Sequence, residues 1–248
     1  MSEYELYIDC TLPSLGKVYS QPVDPNIRLR AMTTADEMKR LNVSTRPYKG
    51  LCECIDACIV SGGGISVYDM CLADFQYLMY QLHCVTYGNV TKVETECPFC
   101  GSKQKGEVDL AQFPVATYTE DLAELIECTL PVTGHKIRIR MNTPRLADDI
   151  VVAARDKKKS KGIDDSYMLQ IMALIDTVDG EKLDYVKLST LVQSLHMRDT
   201  TKILNTAEKL DKAIGMDTKL AIECDTCGVE YESIFRPTQE FFRPTFDD

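Results

Sequence analysis

Two short segments, Cys97-Pro98-Phe99-Cys100-Gly101 and Cys224-Asp225-Thr226-Cys227-Gly228, restrict this chain more than any other feature. In a C-x-x-C-G turn two thiolates converge on one ion, the glycine tolerates a positive φ, and backbone N–H groups turn toward the sulfurs. Two such turns complete a closed, four-coordinate sulfur set. Cys97, Cys100, Cys224 and Cys227 are therefore expected to hold one structural Zn2+, tying distant parts of the chain together. Three other readings stay open: a thioredoxin-like redox pair, knuckles that have lost their metal, and two separate zinc sites that borrow local ligands such as His83 and Cys84.

The chain carries 11 cysteines, an odd number that leaves a thiol over in any intramolecular disulfide scheme. Cys10, Cys52, Cys54, Cys58, Cys71, Cys84 and Cys128 are interleaved with apolar residues and, apart from the loose group Cys52, Cys54 and Cys58, have no ligand spacing. They read as small buried hydrophobes.

The knuckles sit in a longer self-similarity. Gly88 and Gly215 each precede the first knuckle cysteine at the same spacing, and Asp74 to Leu78 aligns with Asp199 to Ile203. Upstream, Cys10-Thr11-Leu12-Pro13 leads to Ile27-Arg28-Leu29-Arg30, and Cys128-Thr129-Leu130-Pro131 leads to Ile137-Arg138-Ile139-Arg140. These matches predict two internally repeated halves, residues 1–118 and 119–248, each ordered hairpin, helices, CxxC knuckle, strand. A shared zinc site would join them into one compact unit. The expected class is α+β, predominantly helical.

Periodicity fills in the elements. Apolar and basic residues alternate over Ile27–Arg30 and Ile137–Arg140, as in half-buried strands. Thr34-Ala35-Asp36-Glu37 reads as a capping-box start with Ala35, Met38 and Leu41 on one face, and Leu51, Ile55, Cys58 and Ile59 form the face of a second helix. Gly62-Gly63-Gly64 is expected to close that helix or form a flexible turn. A helix from about Tyr68 to Val85 should stop near Gly88, and Thr143-Pro144 should start another. Apolar patterns around Met168–Ile175, Tyr185–Leu195 and Ile203–Ile214 predict further helices. Strands should flank the knuckles at Val90–Glu96, Gly106–Leu110, Lys219–Glu223 and Val229–Phe235.

Composition narrows the function classes. A net charge of −10 with a pI near 4.9 argues against a protein that coats nucleic acid, which needs clustered Lys and Arg. No run of 18 apolar residues occurs, and the opening MSEYELYIDC lacks the basic start and apolar stretch of a signal peptide, so neither secretion nor a membrane partner is expected. His83, His135 and His196 lie far apart and beside no nucleophile motif, and Asp148-Asp149 and Asp164-Asp165 fit helix starts or solvated faces. The basic run Arg155 to Lys161 reads as an exposed helix end or loop. In the tail, Phe235 and Phe241 fit a core, whereas Phe242 and Phe246 fit either anchors on a partner or packing on their own domain.

Leu12-Pro13-Ser14-Leu15-Gly16-Lys17-Val18-Tyr19, Arg30-Ala31-Met32-Thr33 before an acidic helix, and Asp199…Gly215…Cys224-Asp225-Thr226-Cys227-Gly228…Phe241-Phe242 come in an order that resembles the T4-type tailed-phage baseplate protein family. The resemblance implies a non-enzymatic virion or assembly protein of a contractile tail, made late in the infected host cytoplasm and working through contacts with other baseplate and hub proteins, with no small-molecule substrate. The residues themselves leave two alternatives, a zinc-ribbon adaptor of transcription or regulation and a thiol oxidoreductase.

Overall fold

Along Asp24–Arg30 the side chains alternate, Ile27 and Leu29 turning inward and Arg28 outward, and this period-two pattern makes a strand rather than a helix. In the computed structural model, which describes residues 6–41, 44–161, 165–237 and 239–242, that strand (β2) is the middle of a three-stranded antiparallel sheet. Its neighbours are β1 (Tyr7–Thr11), with Cys10 opposite Ile27, and β3 (Ile59–Gly63). Helices α1 (Thr34–Arg40) and α2 (Lys49–Cys58) fill the connection between β2 and β3.

After β3 come a short 3-10 turn at Val67–Asp69 and α3 (Leu72–Tyr87), which stops at Gly88 with φ 98°. The first knuckle hairpin, β4 (Val90–Glu96) and β5 (Lys103–Asp109), follows, and then β6 (Val115–Ala116). Next are α4 (Leu122–Leu125), β7 (Glu127–Thr129), β8 (Lys136–Ile139), α5 (Pro144–Lys161), α6 (Ser166–Leu174) and β9 (Ile175–Val178). Strands β7, β8 and β9 form a second antiparallel sheet in that order. Helices α7 (Tyr185–Ser194) and α8 (Met197–Ala213), strand β10 (Gly215–Met216) and the second knuckle hairpin, β11 (Lys219–Glu223) with β12 (Glu230–Ile234), complete the order before a 3-10 turn at Gln239–Phe242.

The chain is not predominantly helical, nor is it two repeated halves. Strands form five separate small sheets among the described residues, because apolar stretches that continue the helical patterns, Ile59-Val60 after α2 and Ile175 after α6, leave the helix and enter strands. The long segments between the matching tetrapeptides also differ. Three residues of 3-10 turn precede α3, whereas the ten-residue α7 precedes α8, and α1 has seven residues where α5 has 18. The repeated words C-T-L-P and I-R-[L/I]-R specify a turn and a strand pair, and their influence stops there.

One local device does recur. Asp74, wholly buried in the first turn of α3, accepts the Ser14 N–H at 3.0 Å and the Ser14 hydroxyl at 2.5 Å. Asp199, wholly buried in the first turn of α8, accepts the N–H groups of Val132 and Thr133 at 2.8 and 3.1 Å. Each carboxylate pins a turn that follows a C-T-L-P segment to the start of a helix, where the helix dipole favours negative charge.

Other expectations shift locally. The N-cap of α1 is Thr33, whose backbone N–H and hydroxyl both donate to Asp36, and Asp36 is the helix's buried residue. Met38 and Leu41 are exposed, so the apolar face read for α1 does not face the core. Gly62 neither closes a helix nor sits in a flexible turn. Its φ of 89° lies within β3, where an added Cβ would come 1.9 Å from the Asn26 carbonyl oxygen, so glycine lets the bulged β3 lie against β2.

Two main cores result. The second lies between the β7–β8–β9 sheet and α6, α7 and α8, around Ile137, Ile171, Leu174 and Ile203. The first spans Leu12 to Phe113 but also takes in Phe235, Phe241 and Phe242 from the far end of the chain. The pairing of β6 with β10 and the hydrogen bond from the Asp217 N–H to the Pro114 carbonyl at 2.9 Å cross in the same place.

Candidate metal centre

Each knuckle is the turn of its hairpin. In the first, the Cys97 N–H donates to the Ser102 carbonyl and the Gly101 N–H to the Cys97 carbonyl, both at 2.9 Å, with Gly101 at φ 71°. In the second, the Cys224 N–H donates to the Val229 carbonyl at 3.1 Å and the Gly228 N–H to the Cys224 carbonyl at 2.8 Å, with Gly228 at φ 68°. The positive φ at the fifth position closes each turn and leaves both of its thiols facing one point.

The two hairpins meet at those turns. The sulfurs of Cys97, Cys100, Cys224 and Cys227 all lie within 4.8 Å of one another, with Cys97 and Cys224 buried and Cys100 and Cys227 exposed. Sγ separations are 3.8 Å for Cys97–Cys227 and 3.6 Å for Cys100–Cys224. A tetrahedral ion bound at a Zn–S distance of about 2.3 Å needs sulfurs about 3.8 Å apart, so the spacing and chemistry of these donors fit a closed thiolate site. Tyr231 and Ile222 pack against Cys97 and Cys224 in a small core of their own.

Polar groups face the sulfurs as well. The Ser102 hydroxyl lies 3.1 Å from Cys100 Sγ and 3.3 Å from Cys224 Sγ, and Gln104 Nε2 donates to Cys224 Sγ at 3.4 Å. The hydrogen bond with Ser102 leads in lowering the Cys224 thiol, while at Cys227 the neighbouring sulfurs, Cys224 first, outweigh the Val229 backbone hydrogen bond and raise the thiol, so the sulfurs titrate as one coupled group. Ser102 and Gln104 were not legible as functional residues in the sequence. No spacing rule marks them, and only the alternation of β5, which places Gln104 on the inner face, hints at their direction.

The seven other cysteines are free thiols, all buried except the half-buried Cys10, and no further group of three metal-ligating side chains gathers among the described residues. Burial pushes the thiols of Cys10 and Cys71 up to about 12 and that of Cys84 up to about 11, far from the reactive range. The histidines stay apart from the thiol cluster. His83 stacks on Phe241 at 4.1 Å, His135 pairs with Asp179 at 2.6 Å, and His196 accepts the Arg198 N–H at the start of α8.

The carboxylate pair of α5 departs from the sequence reading. Asp148 is wholly buried and accepts the Tyr48 N–H at 3.2 Å and the Tyr68 hydroxyl at 2.9 Å, while Asp149 pairs with Arg46. Both face the first half of the chain rather than solvent alone. Arg155 of the basic run donates to the Thr45 carbonyl at 3.3 Å; the side chains of 156–161, Asp164 and Phe246 lie outside the described residues. Phe242 is buried under Arg40, 5.5 Å from its ring centroid, so it packs on its own chain. Among the described residues no helix is long and apolar enough to cross a membrane.

No curated protein and no solved structure matches the chain. The sequence model of the family described as T4 bacteriophage base plate protein matches residues 4–243, from before β1 to the end of the aromatic turn that seals the first core. With both knuckles and both three-stranded sheets inside that span, the chain belongs to the T4 bacteriophage base plate protein family.

Proposed function

We propose that this chain is a non-enzymatic structural or assembly component of a contractile-tail baseplate, a rigid scaffold whose four knuckle cysteines hold a structural Zn2+ and whose surfaces bind other baseplate and hub proteins. The observation that carries the reading is the convergence of Cys97, Cys100, Cys224 and Cys227 from two distant hairpins, in a chain whose family membership covers nearly its whole length. A bound Zn2+ would supply coordinate bonds to four thiolates and no open position for a substrate. Cys97 and Cys100 hold one hairpin and Cys224 and Cys227 the other, so residues 1–118 and 119–248 act as one unit. Small-molecule turnover, a membrane and nucleic acid have no part in this reading, and the site of action is the tail baseplate of the virion.

Two measurements test it. Purified protein should carry one zinc per chain by elemental analysis, and Cys97→Ser or Cys224→Ser should abolish it. A metal-free Cys97→Ser variant with wild-type thermal stability would remove the staple. Quantitative peptide mass spectrometry of gradient-purified particles beside the infected-cell lysate should find the chain at a fixed ratio to a known tail protein, which gives its copy number. Presence in the lysate alone would make it an assembly factor, and absence from both would bring forward the zinc-ribbon adaptor.

A further inference from the structure

Gln104 is a polar side chain buried to 7% exposure, and such an amide needs partners. It lies on β5, opposite Thr95 of β4, and both side chains leave the first hairpin on the face turned toward the second. Thr95 Oγ1 meets the Tyr231 hydroxyl of β12 at 2.9 Å. Gln104 reaches further. Its Nε2 donates to the Ser102 hydroxyl at 2.8 Å and to Cys224 Sγ at 3.4 Å, and its Oε1 accepts the Asp225 N–H at 3.2 Å. One side chain thus holds a cysteine and the following peptide group of the opposite knuckle, and also orients the hydroxyl between two sulfurs.

We propose that Gln104 is the positioning residue of the four-thiol centre: its amide carries the Cys224 turn to the first knuckle and directs an N–H at the Cys224 sulfur, so that the sulfurs are grouped for a soft divalent cation. This rests on the reading of the four cysteines as a metal site. Gln104 touches no metal itself. It acts through Cys224, as groups outside the ligand shell do when they fix a ligand's orientation and charge, and losing such a partner typically costs about 10- to 100-fold in metal affinity. Thr95 serves as the comparison, since it also joins the hairpins but touches no sulfur.

The test uses the full chain, with Zn2+ affinity read by competition with a chromophoric chelator and Co2+ substitution read by its thiolate charge-transfer and d–d bands. Gln104→Met keeps the volume and loses all three hydrogen bonds. Gln104→Asn keeps an amide that is too short to reach, and serves if the first variant does not fold. Both variants should bind Zn2+ about 10- to 100-fold more weakly and shift the Co2+ bands. Thr95→Val should leave the bands in place. Wild-type affinity and bands in both Gln104 variants would overturn the positioning role while leaving the metal centre standing. Failure of the wild-type chain to bind one Zn2+ or Co2+ would remove the centre itself, and this proposal with it.

Discussion

Buried carboxylates do much of the tertiary work at the scale of single residues. Asp148 and Asp149 are neighbours in α5, yet their energetic roles differ. Asp148 is wholly buried with two kinds of donor aimed at it, and Asp149 meets Arg46 where both side chains remain partly exposed. Asp148→Ala strands the Tyr48 N–H and the Tyr68 hydroxyl and should cost on the order of 3 kcal/mol in urea unfolding. Asp149→Ala should cost less than about 1 kcal/mol, as exposed ion pairs do. Equal losses from the two variants would contradict the assignment. Asp36 adds a pH dependence. Burial acts to raise its carboxyl, but the Arg30 guanidinium and the N–H and hydroxyl of Thr33 outweigh it and hold the group well below its ordinary 3.8. A carboxyl depressed in the folded state stabilises fully above its unfolded value and loses that contribution as pH falls through the folded one. The urea midpoint should therefore drop from about pH 5 downward in the wild type, and less steeply in Asp36→Asn. Parallel curves would show that the Asp36 cluster adds nothing.

Elements were most legible where one rule acted alone. Strands β4 and β11 run over the residues expected to flank the knuckles, Val90–Glu96 and Lys219–Glu223, because a knuckle fixes each hairpin's turn and register. The stop of α3 at Gly88 follows from glycine's freedom at positive φ. The α1 face failed because periodicity cannot say which side finds a core, and here the buried side is the one with Asp36 salt-bridged to Arg30. The four cysteines could be read from spacing alone, while Gln104 and Ser102 needed the docking of two hairpins far apart in sequence. The C-terminal aromatic turn also gained its meaning only in three dimensions. It lies over α3, where His83 stacks on Phe241 and the Tyr87 hydroxyl donates to the Phe242 carbonyl at 2.9 Å. Among the described residues His83 Nδ1 has no hydrogen-bond partner, and burial, which outweighs a hydrogen bond with the Phe241 backbone, pushes the imidazole below its ordinary 6.5. A histidine depressed in the folded state stabilises above its unfolded value and loses that contribution as pH falls from there toward the folded value. The thermal midpoint should fall between about pH 7 and pH 5.5, and this slope should flatten in His83→Leu. An unchanged slope would place the acid sensitivity elsewhere.

For the whole molecule, contacts between the two ends of the chain cross the boundary expected near residue 118. The first core is closed by Phe235, Phe241 and Phe242, β6 pairs with β10, and buried Asp148 of α5 receives Tyr48 and Tyr68. A chain cut between 118 and 119 would leave the first piece without three aromatic side chains of its core and the second with those rings in water. Each large aromatic side chain removed from a core costs about 3–5 kcal/mol, so losing three is comparable to the roughly 5–15 kcal/mol that a whole domain possesses. Expressed separately, residues 1–118 and 119–248 should each be aggregation-prone or bind a hydrophobic dye. Co-expressed, they should copurify as a one-to-one complex that retains zinc. The complex distinguishes the aromatic seal and the β6–β10 pair from the proposed thiolate staple, since chelation would remove only the latter. Copurification that survives chelation with a lowered thermal midpoint is the expected result. Two pieces that fold and stay monomeric on their own would mean that the cross-chain contacts join finished domains, and the baseplate would then receive two modules instead of one rigid body.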